Sequence, residues 1–66
     1  MFYLGFANEK RDKRIGKAQD LETAIAIGEA KQSKYKAKGK HGMIFVYEIV
    51  VKCGAYMKKI YKGWEV

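Results

Sequence analysis

The sequence has no proline, a single cysteine and a single histidine among its 66 residues. Because Cys53 has no partner in the chain, an internal disulfide is excluded, and a lone thiol is more typical of the reducing cytoplasm than of a secreted protein. One cysteine and one histidine are also too few for a structural zinc site, which takes four ligands. We therefore expect the fold to be stabilised by its apolar core or by a partner subunit.

Long hydrophobic runs are also missing. No apolar stretch approaches the length of a membrane-spanning helix, and the N-terminus lacks the uncharged segment of a signal peptide. The sequence contains no glycine-rich phosphate loop after a strand, no nucleophile elbow and no isolated pair of carboxylates. We therefore predict a cytoplasmic protein without catalytic residues, bound metal, other cofactor or membrane partner. His41 and Cys53 are interpreted as a loop residue and an exposed turn residue.

The strongest pattern in the chain is a β-hairpin near its C-terminus. Residues 43–52 are β-branched and aromatic almost throughout, which predicts a strand, and residues 55–62 predict its partner. Cys53-Gly54 lies where a two-residue turn is expected. This turn pairs Tyr47 with Ile60 and Val46 with Tyr61, and it predicts a cross-strand ion pair between Glu48 and Lys59.

The predicted register divides the hairpin into two apolar faces. The first is interpreted as the core and contains Met43, Phe45, Tyr47, Ile49, Val51, Tyr56, Ile60 and Trp64. The second contains Ile44, Val46, Val50, Met57 and Tyr61. Because a single helix can cover only one face, we expect this second face to be exposed and to form a protein interface, most simply in a homodimer.

The rest of the chain predicts strands over residues 2–7 and 15–18, separated by a charged loop over 8–14. Asp20 is a suitable N-cap and Gly39 a suitable residue after a helix, so a helix is predicted between them. Gly28, in the middle of the apolar helix stripe, indicates close approach to the sheet.

The order β(β)αββ predicts one small α+β domain over residues 1–66. In it, a single helix packs on a mostly antiparallel sheet of three or four strands, giving two layers. Residues 15–18 are expected to pair back on residues 2–7 as a hairpin, and whether residues 2–7 also pair with the third strand, the fourth strand or a neighbouring chain is left open.

The balance of charge is strongly basic, with a formal net charge of +7. Residues 31–40 contain no acid, and a second basic cluster lies in the charged loop. If this loop lies near the end of the helix, the two clusters form one positive surface. The candidate nucleic-acid-binding residues are Lys10, Arg11, Lys13, Arg14, Lys31, Lys34, Lys38 and Lys40. The alternative is a solvated helix end, where lysines are favoured by the helix dipole.

Two functions follow from these patterns. The first is binding to the backbone of nucleic acid or another polyanion, because flexible cations suffice for phosphate contacts and two arginines are few for base recognition. Tyr61 beside Lys59 fits a base-stacking role, although aromatics more often serve packing. The second is a protein-interaction module or inhibitor, for example an accessory protein of a phage or mobile element, that uses an apolar sheet face or a strand edge.

Overall fold

The computed structural model describes residues 1–66 and contains one helix and four strands. The strands are β1 (Phe2–Ala7), β2 (Asp12–Ala18), β3 (Met43–Lys52) and β4 (Ala55–Glu65), and the helix is α1 (Leu21–Ala37). The strands form one antiparallel sheet in the order β2-β1-β3-β4. This architecture confirms the predicted two-layer α+β domain, and it shows that β1 pairs with β3.

Both ends of the helix are defined by the residues that the sequence indicated. The Oδ1 atom of Asp20 accepts a hydrogen bond of 2.7 Å from the backbone N–H of Thr23, which satisfies a free donor in the first turn. At the other end Lys38 is the C-cap, and Gly39 has a φ of +74°. The helix is too short and too polar to span a membrane.

The core lies between α1 and one face of the sheet, here called the helix face. Leu4 and Phe6 of β1 pair with Val46 and Ile44 of β3 on this face. Leu4, Ile44 and Val46 have no exposed surface. The expectation that Ile44 and Val46 lie on an exposed face is therefore wrong, because α1 covers the face that was predicted to be exposed to solvent.

The predicted register of the hairpin is confirmed from the turn as far as the Tyr47–Ile60 pair. Beyond it a β-bulge shifts the register, so that Val46 pairs with Lys62 rather than with Tyr61. The extra residue reverses the direction of the side chains that follow, and Trp64 enters the core opposite Ile44. Strand β4 accordingly continues through Glu65, three residues beyond its predicted end at residue 62.

Glu48 and Lys59 are register partners, but they do not form the predicted ion pair. The Oε1 atom of Glu48 instead accepts a hydrogen bond of 2.9 Å from the hydroxyl of Tyr61, the residue at the bulge. The Nζ atom of Lys59 lies 5.2 Å from the centroid of the Tyr61 ring. The bulge therefore changes the partners of both charged side chains.

The face opposite the helix, here called the open face, has a small aromatic cluster of its own. The ring of Tyr47 lies 5.7 Å from that of Tyr3 and 5.5 Å from that of Phe45, measured between centroids. Arg14 lies 4.3 Å above the Tyr3 ring and Lys58 lies 4.9 Å above the Tyr47 ring. Tyr47 is consequently buried although no helix covers it.

The charged loop is shorter than predicted, because β2 begins at Asp12. The Oδ1 atom of Asn8 accepts hydrogen bonds of 2.8 Å from the backbone N–H groups of Lys10 and Arg11, which closes the connection within four residues. A second bulge then makes Ile15 the extra residue of β2, between Gly16, which pairs with Leu4, and Arg14, which pairs with Gly5.

The hairpin extends beyond the rest of the sheet. Pairing of β1 with β3 ends at Tyr47, so residues 49–60 form a two-stranded ribbon with no third strand beside them. All residues of this ribbon are exposed. Its turn has positive φ at both central positions, 53° at Cys53 and 80° at Gly54, as in a type I′ turn.

Candidate nucleic-acid interface

The two basic segments of the sequence meet at one end of the molecule. Ala7 at the end of β1 pairs with Met43 at the start of β3, so the β1–β2 and α1–β3 connections lie side by side. The Nδ2 atom of Asn8 donates a hydrogen bond of 3.5 Å to the carbonyl oxygen of His41. The condition for one positive surface, that the charged loop lies near the end of the helix, is therefore met.

This end of the molecule has two adjoining recesses. One has a volume of about 220 Å³ and is lined by Phe6, Asn8, Arg11, Lys13, Lys40 and His41. The other has a volume of about 540 Å³ and is lined by Asn8, Glu9, Lys10, His41 and Gly42. The basic residues of the two recesses are here called the basic end; they are Lys10, Arg11, Lys13, Lys40 and His41.

Two cations of the basic end are positioned by the core. The Nζ atom of Lys40 lies 4.7 Å from the centroid of the Tyr35 ring, and its backbone N–H donates a hydrogen bond of 3.0 Å to the carbonyl oxygen of Tyr35. Tyr35 is buried and packs edge-on against Phe6 at 5.0 Å. Lys13 is the register partner of Phe6 and so lies on the same face of the sheet. The positions of these two cations are thus coupled to the core.

Three lysines of the helix extend the positive surface along β2. A Cβ atom at Gly16 of β2 would lie 3.9 Å from the side chain of Ile27, so the flank of α1 that carries Ile27 faces β2. Lys31, Lys34 and Lys38 follow Ile27 by four, seven and eleven residues, which places them on the same flank. They are called the helix lysines below. The flank leads directly to Lys40 at the basic end.

Arg14 is the exception among the predicted nucleic-acid-binding residues. It pairs with Gly5, and its guanidinium group lies over Tyr3 on the open face. In a regular strand Arg14 and Gly16 would lie on the same face. Ile15 is the extra residue of a bulge between them, so Arg14 lies on the open face although Gly16 lies on the helix face. Arg14 therefore lies on the side of the sheet away from the helix lysines.

The cations of this surface have no acidic partners. The structure has one ion pair, between Lys58 and Asp12, at 3.8 Å. Glu9 is the only acid that lines either recess. Since neither the basic end nor the helix lysines are neutralised by carboxylates, they are free to contact an external anion.

The predicted protein interface is divided by the helix. Ile44 and Val46 are buried beneath it, whereas Val50, Met57 and Tyr61 lie beyond its reach and are exposed. The sequence did not predict the exposure of a second apolar group on the open face of the ribbon. Its members are Ile49, Val51, Tyr56 and Ile60. Alternation along the strands did place these four on one face, but that face was taken for the core.

Comparison with known proteins finds no similar protein. No protein-family model matches the chain, and neither a curated protein nor a solved structure is significantly similar to it.

Proposed function

We propose that this protein binds the sugar–phosphate backbone of nucleic acid, without catalysis, through its basic end and helix lysines. The observation that supports this most directly is the convergence of Arg11, Lys13 and Lys40 around one recess without a carboxylate partner. Unpaired cations of this kind bind phosphates by releasing the counterions that surround the nucleic acid. The helix lysines provide further contacts along the same surface.

The proposed binding does not depend on base sequence. Bidentate recognition of base edges usually requires arginine, asparagine or glutamine directed into a groove. Here Arg14 is directed onto Tyr3, and Arg11 is the only arginine of the surface. We also place the protein in the cytoplasm, where an exposed, unpaired thiol such as that of Cys53 stays reduced.

The test is a fluorescence-anisotropy titration against random single-stranded and duplex DNA and RNA at two salt concentrations. If about six phosphates are neutralised, affinity for a duplex falls roughly a thousandfold between about 50 and 200 mM salt. The preferred strand type identifies the ligand. Absence of binding at the lower salt concentration refutes the proposal.

Variants distinguish the proposed surface from net charge alone. Changing Lys31, Lys34 and Lys38 together to glutamate should abolish binding. The matched control changes Lys52, Lys59 and Lys62 to glutamate, which alters the net charge equally but on the hairpin, away from the helix flank. Equal loss of affinity in both triple variants shows that the helix lysines are not a specific site.

The exposed ribbon supports a second candidate, a protein-interaction module. Val50, Met57 and Tyr61 remain exposed beyond the helix, and contiguous apolar surface of this kind marks contact sites. Under this alternative, Met57→Lys removes binding to a partner protein and leaves the affinity for nucleic acid unchanged.

A further inference from the structure

The open face of the sheet has aromatic rings that no other element covers. Tyr3, Phe45 and Tyr47 form the cluster described above, and the first two of these are half-buried. Tyr56 lies farther along the hairpin on the same face, as the register partner of Val51. It is 79% exposed, so nearly all of its ring is accessible to a ligand. The four rings are called the aromatic surface below.

Cations lie beside these rings on the same face. Lys58 follows Tyr56 by two residues of β4, and its Nζ atom lies 4.9 Å from the centroid of the Tyr47 ring. On the other side of the cluster, the guanidinium group of Arg14 lies 4.3 Å from the centroid of the Tyr3 ring. The aromatic surface is therefore bordered by positive charge from both β2 and β4.

The charge of the open face suits an anionic ligand. Its strand residues include three cations, Arg14, Lys17 and Lys58, and two acids, Asp12 and Glu65. Glu65 lies at the end of β4, opposite Met43. Asp12 pairs with Lys58 at 3.8 Å, but both side chains are about half exposed, and a surface ion pair of this kind is weak enough for a phosphate to replace the carboxylate. Residues 49–60 contain three lysines and no acid.

Strand β2 connects the aromatic surface to the basic end. Lys13 belongs to the basic end, and the next residue, Arg14, is directed onto the open face. Lys17 is exposed on the open face as the register partner of Tyr3. Because β2 is an edge strand, a polyanion passes from one set of cations to the other without crossing a second strand.

We propose that the aromatic surface stacks against the bases of single-stranded nucleic acid whose phosphates are bound at the basic end. The inference rests on the proposed function and adds the type of strand. Aromatic side chains on a sheet bind single strands by stacking on unpaired bases, and neighbouring cations contact the phosphates. A duplex does not offer this contact, since its bases are stacked on one another. Tyr56 supplies the most accessible ring, and Lys58 the cation beside it.

Two oligonucleotides of equal charge test the inference on the unmodified protein. One is an oligothymidylate of about 12 nucleotides, and the other is an abasic chain of the same length. Fluorescence anisotropy at about 50 mM salt should show that the oligothymidylate binds at least about tenfold more tightly, because it alone supplies bases. Equal affinities refute the stacking and leave the proposed function standing. Absence of binding to either chain refutes both.

Tyr56→Leu removes the ring and keeps an apolar side chain. It should lower the affinity for the oligothymidylate about tenfold and leave the affinity for the abasic chain unchanged. Tyr56→Phe keeps the ring and should bind like the wild type. Because Tyr56 is so exposed, neither change removes much packing within the protein. An equal loss of affinity for both chains in Tyr56→Leu contradicts a contact with bases.

Tyr61→Leu is the matched control, because it removes a tyrosine ring from the helix face of the same strand. The hydroxyl of Tyr61 donates a hydrogen bond to Glu48, and its ring packs edge-on against Phe2 at 5.3 Å. The ratio of the affinities for the two oligonucleotides should stay at its wild-type value, with circular dichroism confirming the fold. Equal reduction of this ratio by Tyr61→Leu and Tyr56→Leu overturns the assignment to the open face.

Ring-proton resonances give a direct measure that needs no variant. A base stacked on Tyr56 should shift its ring resonances upfield when the oligothymidylate is added, whereas the abasic chain should not. Unchanged resonances at saturation refute the stacking. Self-association that Tyr56→Leu weakens, without any preference for the chain that has bases, assigns the aromatic surface to a second copy of the protein instead.

Discussion

Gly28, in the middle of the helix, lies directly on the indole ring of Trp64. A Cβ atom added at Gly28 would overlap the Cζ3 and Cη2 atoms of that ring. Trp64 is buried and belongs to the core between the helix and the sheet. The absence of a side chain at Gly28 therefore determines how closely α1 approaches β4.

Gly28→Ala should destabilise the protein even though alanine is the better helix former. The gain in helix propensity is about 1 kcal/mol. Forcing an additional carbon against a packed ring costs typically 1–3 kcal/mol or more, so we expect a net loss of about 1 kcal/mol. Urea unfolding followed by circular dichroism at 222 nm measures the difference.

The control is the same substitution in a Trp64→Leu background. With the indole removed, the alanine has room, and Gly28→Ala should be neutral or stabilising by up to about 1 kcal/mol. Stabilisation in the wild-type background would instead show that the helix can move away from Trp64 at little cost.

The contact between Gly28 and Trp64 also shows how far the sequence predicts this fold. Glycine in the apolar stripe of the helix correctly indicated a close approach to the sheet. The partner was not predictable, because regular alternation from the turn assigns Trp64 to the opposite face. The bulge at Tyr61 reverses that assignment, and the three residues that form it, Ile60, Tyr61 and Lys62, include no glycine or proline.

The choice of the covered face was wrong for a related reason. Both faces of the hairpin are apolar, so the hairpin alone does not determine which one the helix covers. The decision depends on β1, which adds Leu4 and Phe6 to one face and Tyr3 and Gly5 to the other. Since the sequence left open whether β1 pairs with β3, with β4 or with a neighbouring chain, this contribution could not be counted.

The candidate site was predictable in composition but only partly in position. The acid-free run that contains the helix lysines is evident from the sequence, and helical periodicity places them on one flank. The direction of Arg14 depends on the bulge at Ile15, which is a property of the paired strands. The residues Ile49, Val51, Tyr56 and Ile60 were placed together on one face but assigned to the core, because their exposure depends on where β1 ends.

Asp12 and Lys58 form an ion pair although two strands separate them in the sheet. Three inter-strand spacings of about 4.8 Å exceed the reach of the two side chains, so the edges of the sheet must curve towards each other on the open face. Both side chains are about half exposed, at 48% for Lys58 and 61% for Asp12. The pair should therefore contribute only about 0.2–1 kcal/mol to folding.

Cys53 occupies a backbone conformation that suits asparagine or glycine better. Its φ of 53° lies in the left-handed region, which costs most residues roughly 1–2 kcal/mol. Cys53→Asn creates the Asn-Gly sequence favoured in type I′ turns and should stabilise the ribbon by up to about 1 kcal/mol. Slower amide hydrogen exchange at residues 49–60 would measure this local effect.

Two further substitutions serve as controls for the turn. Cys53→Ser keeps a side chain of similar size and should leave the exchange rates nearly unchanged. Cys53→Val places a β-branched residue at positive φ and should accelerate exchange in the ribbon. Identical rates in all three variants would indicate that the ends of the ribbon open independently of the turn.

The pH dependence of stability should include a contribution from Asp20. Hydrogen bonds from the backbone N–H and the side chain of Thr23 favour the charged form and lower the pKa of the Asp20 carboxyl below its ordinary value of 3.8. Because the pKa is lower in the folded state, this contribution is fully present above about pH 3.8 and is lost as the pH falls through the lowered value. Acid should therefore weaken the start of the helix.

Asp20→Asn isolates this effect, because the amide oxygen still accepts the bond from Thr23 but does not titrate in this range. The difference in Tm between the wild type and Asp20→Asn should be constant from about pH 6 to pH 4 and should change in favour of the variant below it. Asp20→Ala, which has no acceptor, should have a lower Tm than Asp20→Asn at every pH. A difference between the wild type and Asp20→Asn that is the same at pH 2 as at pH 6 would show that the carboxylate charge adds nothing to the cap.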